Sequence, residues 1–330
     1  METVPITVAC HPYDRVRALL DGSVRIEGCR TTMLSLRAEE TFHRAYGHAE
    51  FEVSELSMSS YILANARGIC PYVAIPVFVS RVFRHSAIYV RKDRNISRPS
   101  DLRGKLVGVP EYQMTAALWA RGMLSDVYGV AAQDIRWRTG GLENSGRIEK
   151  FGLTFSPPLD VAAVPQDKNL SKMLSDGDLD ALVSARAPSC FGQHDSPVVR
   201  LFPNYRDAEQ QYFRDTGLFP IMHVIGIRRD LVERFAWLPA SVFKAFEQAK
   251  LKCMASMRDV GALEVTLPWL TSYIEDTTEL MGDDYWPYGF EENRKALEAM
   301  VRYSFEQGIS PSLSKIEMLF APGTHDRFKV

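Results

Sequence analysis

The chain has little cysteine and spends it in no pattern. Cys10, Cys29, Cys70, Cys190 and Cys253 are five in number, scattered, and include no CxxC pair. A disulfide framework or a thiolate metal site needs paired spacing, so reduced, mostly buried thiols are expected. Long apolar runs are also missing: none approaches the roughly 18 residues of a bilayer-spanning helix. Neither charge is in surplus, since 39 Lys and Arg against 41 Asp and Glu leave −2. The basic residues are dispersed, which argues against nucleic acid or an anionic membrane as partner. There is no GxSxG elbow, no GxxxxGK[ST] loop and no GxGxxG fingerprint, and His43, His48, His194 and His325 make no HxH or HExxH spacing. The sequence therefore shows no nucleophile elbow, nucleotide loop or preorganised metal site. The opening segment METVPITVACHPYDRVRALL lacks a basic n-region and a long apolar h-region, so a cytoplasmic protein is expected.

What is present suffices for two lobes: 330 residues with 46% hydrophobic content. Strand-like runs at 6–10, 30–36 and 51–56 alternate with helical stretches at 15–20, 38–48 and 57–67. That alternation points to a parallel α/β lobe. Two segments look alike, SAIYVRKD at 86–93 and HVIGIRRD at 223–230. Each is a short apolar strand ending in two basic residues and Asp, as expected of an outgoing and a returning crossing between lobes. The expected division is 1–94 with 224–330 as one lobe and 95–223 as the other. Within the second, DLRGKLVGVPEYQMTAALWARG places a strand at 106–109, a stop at Pro110 and a helix from Thr115. Free N–H groups at such a helix start attract a carboxylate or phosphate. Residues 138–165, rich in Gly, Pro and charge, read as an irregular excursion, and helical periodicity returns at 239–257, 267–281 and 290–307.

This layout resembles the type II periplasmic-binding-protein fold, of which LRGKLVGVP and GDLDALVSAR are common phrases. Narrower phrases are EYQMTAALWARGMLSDVYGV, TGLFPIMHVIGIRRDL and DDYWPYGFEENRKALEAMVRYSFEQGI. Together they resemble the 4,5-dihydroxyphthalate decarboxylase family, soluble enzymes on that fold, from VACHPYDRVRALLDG to SKIEMLFAP. The resemblance implies a two-lobed α/β fold with a ligand cleft between lobes and a helical C-terminal part. It implies loss of one ring carboxylate from 4,5-dihydroxyphthalate, giving 3,4-dihydroxybenzoate (protocatechuate) and CO2. No cofactor is expected, because the substrate's own phenol supplies the electrons. A homo-oligomer is expected from the usual symmetric association of such enzymes. A solute-binding protein for a small aromatic carboxylate stands as the alternative: it needs the same arginines and helix starts but no proton donor.

Decarboxylation puts a proton on an aromatic carbon, so the site needs cations or helix starts for the carboxylates, an acceptor for the phenol and an acid for the ring. His11, after the first strand, is a candidate acid or phenol partner, against a satisfied loop histidine. Glu55, at the end of the third strand, can accept from a phenol or form a salt bridge. Ser57 reads first as a helix N-cap and second as a substrate contact. His223, at the returning crossing, is a candidate acid or base, against a hinge histidine bonded to backbone. Among Arg81, Arg84 and His85 one carboxylate holder is expected, Arg81 or His85 preferred, with a hinge ion pair as the alternative. Tyr112, Gln113 and Thr115 are placed to bond a carboxylate beside the helix start, and Arg186 to clamp one from beyond a strand end. Asp283 to Tyr288 can wall the ring site, form a subunit contact, or make a plain turn.

Overall fold

The computed structural model describes residues 3–155 and 158–325. Eleven strands are present among them: β1 (Val4–Cys10), β2 (Cys29–Ser35), β3 (Val53–Ser57), β4 (Tyr72–Arg81), β5 (Ile88–Arg91), β6 (Leu106–Val109), β7 (Arg136–Thr139), β8 (Val161–Ala163), β9 (Ala181–Val183), β10 (Val198–Arg200) and β11 (Ile221–Arg228). They form two sheets, one in each of two compact units. Within the described residues, the first unit draws on Met1–Arg81, Ile221–Glu298 and Ser314–Val330, and the second on Val82–Pro220 and Ala299–Leu313. These bounds differ from the expected crossings after 94 and 223. The reason lies in strand pairing: β5, the heart of SAIYVRKD, pairs antiparallel with β9 and β10 and so belongs to the second sheet.

The first sheet has the order β2-β1-β3-β11-β4. β1 runs parallel to β2 and β3, and β11 antiparallel to both β3 and β4. Every residue of β3 and of β4 is buried, as a sheet covered on both faces requires, and VAIPVFV accordingly reads as an unbroken apolar run. Gly226 lets β11 fit between its neighbours: a Cβ there would lie 2.5 Å from Leu56 Cδ1 and 3.1 Å from Tyr72 Cβ. β4 is an edge strand, the place where a proline such as Pro76 is tolerated. Its pairing with β11 is irregular. Ile75 faces Ile225 and Ser80 faces His223, so residues 76–79 lie opposite Val224 alone. This bulge matters for the site below.

Helices Ala38–His48, Met58–Ala66 and Leu238–Arg258 lie close to the expected bounds. The second sheet has the order β10-β5-β9-β6-β7-β8, with β6 parallel to β7 and β9. Its core includes Tyr89, Leu170, Leu174, Leu179 and Leu182. Gly108 is pressed by that core, with Leu179 Cδ1 2.8 Å from where a Cβ would stand. Helix Thr115–Tyr128 starts and stops as expected, ending at Gly129 with φ +65°. The stretch 138–165 is mostly irregular but also carries β8, which extends the sheet beside β7. No helix among the described residues is long and apolar enough to cross a membrane.

Candidate active site

Three neighbouring strands of the first unit place three polar residues in one row. His223 on β11 faces Ser57 on β3 and Ser80 on β4. Residues directly opposite one another point to the same face of a sheet, and so does a residue two places along. Glu55, two residues before Ser57, therefore shares that face. β1 lies beside β3 and delivers the loop that begins at His11.

Glu55 is the centre of this cluster and is fully buried. Its Oε1 accepts from the Tyr13 hydroxyl at 2.7 Å and lies 2.6 Å from His223 Nδ1. Its Oε2 accepts from the backbone N–H of His11 at 2.8 Å. Burial alone pushes the Glu55 carboxyl up, but His223, the His11 N–H and the Tyr13 hydroxyl outweigh it and hold the group below the ordinary carboxylate range. An ionised Glu55 accepts only, so Nδ1 of His223 must carry the proton between them and Nε2 is left for chemistry. The His223 side chain is 19% exposed against 0% for Glu55, so the imidazole reaches the surface of the cluster while its carboxylate partner stays dry. Phe42 packs edge-on against the imidazole, with centroids 4.8 Å apart.

Tyr13 is a neutral phenol here. Burial first, and the Glu55 charge second, raise its hydroxyl far above the ordinary tyrosine value. Its oxygen is also 3.2 Å from His223 Nδ1, and its ring meets the His11 ring edge-on at 4.9 Å. His11 itself is half-buried, with Nδ1 3.4 Å from the Leu36 carbonyl. Ser57 stands at the N-cap of Met58–Ala66, but its hydroxyl makes no cap hydrogen bond. Its position opposite His223 is the property the capping reading did not anticipate.

The remaining sequence candidates divide. Arg81 is buried and bonds the Pro287 carbonyl at 2.9 Å and Asn293 Oδ1; burial lowers its guanidinium to about 9. Its polar atoms thus anchor the 287–293 segment, which corrects the expectation of a carboxylate clamp. His85 is corrected as well. It is fully buried in the second unit among the rings of Phe202, Tyr212 and Tyr128, with centroids at 5.0, 5.4 and 6.2 Å. Neither ring nitrogen has a partner among the described residues, and burial lowers its imidazole to about 4.

Tyr112 and Gln113 are fully buried. The Tyr112 hydroxyl donates to the Gln307 carbonyl at 3.3 Å, and its N–H donates to Glu149. The Gln113 side-chain oxygen accepts from the N–H groups of Lys150 and Phe151, each at 3.1 Å. These two residues hold the chain's own 149–151 segment, because the turn before the helix is covered by it. Arg121 is buried too, with its Nε 2.7 Å from Gln307 Oε1. Thr115 is buried at the first helical position, whereas Arg186 is exposed just beyond β9. β6 and β9 are parallel neighbours, so Thr115 and Arg186 follow the same, carboxyl-terminal edge of the second sheet.

Sequence reasoning missed Tyr13, Arg15 and Ser80. Tyr13 stood in view beside His11, but its partners are 42 and 210 residues away, and no local spacing reports that. Asp283 to Tyr288 does supply a wall, though against Arg15: the Trp286 ring lies 4.1 Å from the Arg15 guanidinium. No group of three His, Cys, Asp or Glu placed to hold a metal occurs among the described residues.

The chain is 40% identical to the 4,5-dihydroxyphthalate decarboxylase of Comamonas testosteroni over 330 residues, all of both chains. It is 42% identical to that of Pseudomonas putida over 214 residues, 65% of this chain and 83% of the other. Among solved structures it resembles the periplasmic aliphatic sulphonate binding protein of Escherichia coli, with TM-score 0.54, 14% identity and coverage of 98% and 99%. It also resembles the alkanesulfonate-binding protein of Xanthomonas axonopodis pv. citri, with TM-score 0.50, 12% identity and coverage of 98% and 97%. At such identities these structures speak for the fold alone. No family model matches the chain.

Proposed function

We propose, from the premise that the chain belongs to the 4,5-dihydroxyphthalate decarboxylase family, that it removes one carboxyl group from an aromatic dicarboxylate, 4,5-dihydroxyphthalate, to give 3,4-dihydroxybenzoate and CO2. The observation that carries this reading is the His223–Glu55 pair at 2.6 Å, with the carboxylate fully buried and the imidazole partly exposed. A binding site has no need of a buried carboxylate that fixes one histidine tautomer. Proton transfer does.

In this mechanism the hydroxyl para to the leaving carboxylate gives its proton to Nε2 of His223. The freed oxygen pair becomes a C=O bond and drives a ring pair onto the carbon that bears the carboxylate. That carbon takes a proton from His11, forming the new C–H bond. The C–CO2 bond then breaks, its electron pair restores the ring and the phenol oxygen, and His223 returns its proton to that oxygen. One proton enters the product and one CO2 leaves; His11 is reprotonated from water. Glu55 stabilises the imidazolium as it forms, an interaction stronger in the transition state than before it. In the second unit, taken by itself, Arg186 and the helix start at Thr115 have the charge and the oriented N–H groups suited to a carboxylate. Self-association is proposed too, supported by Val260, Leu263, Trp269 and Tyr273, all exposed apolar side chains; light scattering in solution tests it.

The test is to mix purified protein with 4,5-dihydroxyphthalate in D2O and follow CO2 and the product. Turnover with deuterium at the vacated ring position is expected. Thermal stabilisation by the compound without turnover would instead favour a solute-binding protein. Neither response would discard the substrate.

A further inference from the structure

Tyr13 can serve Glu55 only if its ring is held, and it sits in a short loop rather than on a strand or helix. Arg15 supplies the hold. Its guanidinium lies between two rings, 4.2 Å from the centroid of Tyr13 and 4.1 Å from that of Trp286. Its edge is taken by backbone and carboxylate: Nε donates to the Val79 carbonyl at 2.7 Å, Nη2 donates to the same oxygen, and Nη1 donates to Asp14 Oδ1 at 2.9 Å. Trp286 is fixed in turn by its indole N–H, which donates to the Phe78 carbonyl at 3.0 Å.

Both carbonyls come from the β4 bulge. Residues 76–79 have no matched partners along β11, so Phe78 and Val79 have carbonyls to spare for side chains. Pro76, which has no N–H to contribute to a ladder, opens that stretch. The same bulge brings Ser80 opposite His223. One irregularity of an edge strand thus seats the cation that seats the tyrosine.

We propose that Arg15 is a positioning residue for the proton-transferring pair, acting through Tyr13 on Glu55 and His223. Its own hydrogen bonds go to Val79 and Asp14 rather than to either member of the pair. It works by pinning the phenol that donates to Glu55. A planar, delocalised cation can stack on two rings and bond a carbonyl with its edge at once, whereas a lysine ammonium cannot. The inference rests on the decarboxylase reading of the site.

The experiment compares Arg15→Lys, Arg15→Met, Tyr13→Phe and the Arg15→Met/Tyr13→Phe double variant, each checked by circular dichroism. Steady-state kinetics across pH is paired with 15N NMR of the His223 ring. Both Arg15 variants are expected to lower kcat by on the order of tenfold, as loss of an orienting partner does, with less change in KM. The pH dependence of the His223 ring 15N signals should change, because Glu55 relieved of one donor is a stronger acceptor for Nδ1–H. The double variant should match Tyr13→Phe, since both changes cut one link. Wild-type kcat and titration in folded Arg15→Lys, or additive losses in the double variant, would overturn the proposal. If the Arg15 variants fail to fold, Trp286→Phe reads the same link: an unmoved His223 titration there overturns it. A wild type that turns nothing over while these variants still shift the His223 ring would discard the decarboxylase reading and leave the positioning role standing.

Discussion

Glu55 and His223 stand 168 residues apart in the chain and 2.6 Å apart in the fold. They meet because β11 returns antiparallel beside β3, with Ile225 facing Glu55 and His223 facing Ser57. The pair should respond as a unit. Glu55→Gln keeps the size and removes the charge, and His223→Gln removes the base. Each is expected to lower kcat by about 10²–10⁴-fold, the usual worth of a positioned acid or base, and the double variant should cost little more than either alone. Steady-state kinetics checks this; a single variant with near-wild-type kcat would remove the pair from the mechanism.

The same pair sets an acid limit on stability. A carboxyl held below its unfolded value of 4.5 stabilises the fold above that pH and loses the contribution as pH falls through the folded value. Melting curves of wild type and Glu55→Gln should therefore converge as pH drops below that range. A gap that stays constant would mean the charge of Glu55 carries none of it.

His85 predicts a second acid effect, higher in pH. Its imidazole titrates near 4 when folded and near 6.5 when unfolded, so the unfolded chain binds the extra proton in between. Stability is lost as pH falls across that window. His85→Phe fits a cage already built from Phe202, Tyr212 and Tyr128. Its melting temperature should gain on wild type between pH 7 and pH 5. The upper limit on that gain is roughly 1.4 kcal/mol for a tenfold rise in proton activity within the window. An unchanged difference over that range would contradict a neutral, buried imidazole.

Glu149 works in the opposite sense. Burial first, and the nearby Glu111 charge second, raise its carboxyl to about 7, against the pull of the Tyr112 and Gln113 N–H groups. The folded protein keeps a proton that the unfolded chain has lost, so stability falls as pH rises from 4.5 towards 7. Glu149→Gln should flatten that slope in a series of melting curves, and a slope that persists would place its origin elsewhere.

Arg186 and Arg81 separate binding from folding. Arg186 is exposed at the edge of the second sheet, so Arg186→Met should raise KM with little change in kcat if it grips a carboxylate in ground and transition state alike. Arg81→Met strands the buried Asn293 Oδ1, while the Pro287 carbonyl keeps the Asn293 Nδ2 donor at 3.1 Å, and should cost about 1–3 kcal/mol for the one acceptor left unsatisfied. Kinetics and chemical denaturation on the two variants make the contrast. A normal KM in Arg186→Met, or full stability in Arg81→Met, would each refute its half.

The alternation of strand and helix, the two α/β units and the helix Thr115–Tyr128 were legible in the order of the residues. Those follow from local periodicity, from turn chemistry at Pro110 and Gly129, and from apolar runs that cannot face water. The sequence also singled out His11, Glu55 and His223, although Glu55 occupies the middle of β3 and His223 lies inside β11. Which side chains meet depends on how the strands pack. Glu55 became the hub because β1, β3 and β11 lie side by side, an arrangement no spacing encodes. Tyr13 and Arg15 owe their roles to the β4 bulge after Pro76, a feature of strand register. Tyr112, Gln113, Arg81 and His85 have the right chemistry for a carboxylate, yet folding bonds the first three to the protein's own groups and closes His85 in a cage of aromatic rings. Residue type specifies what a side chain can bond; only the packed chain specifies what it has left to bond with.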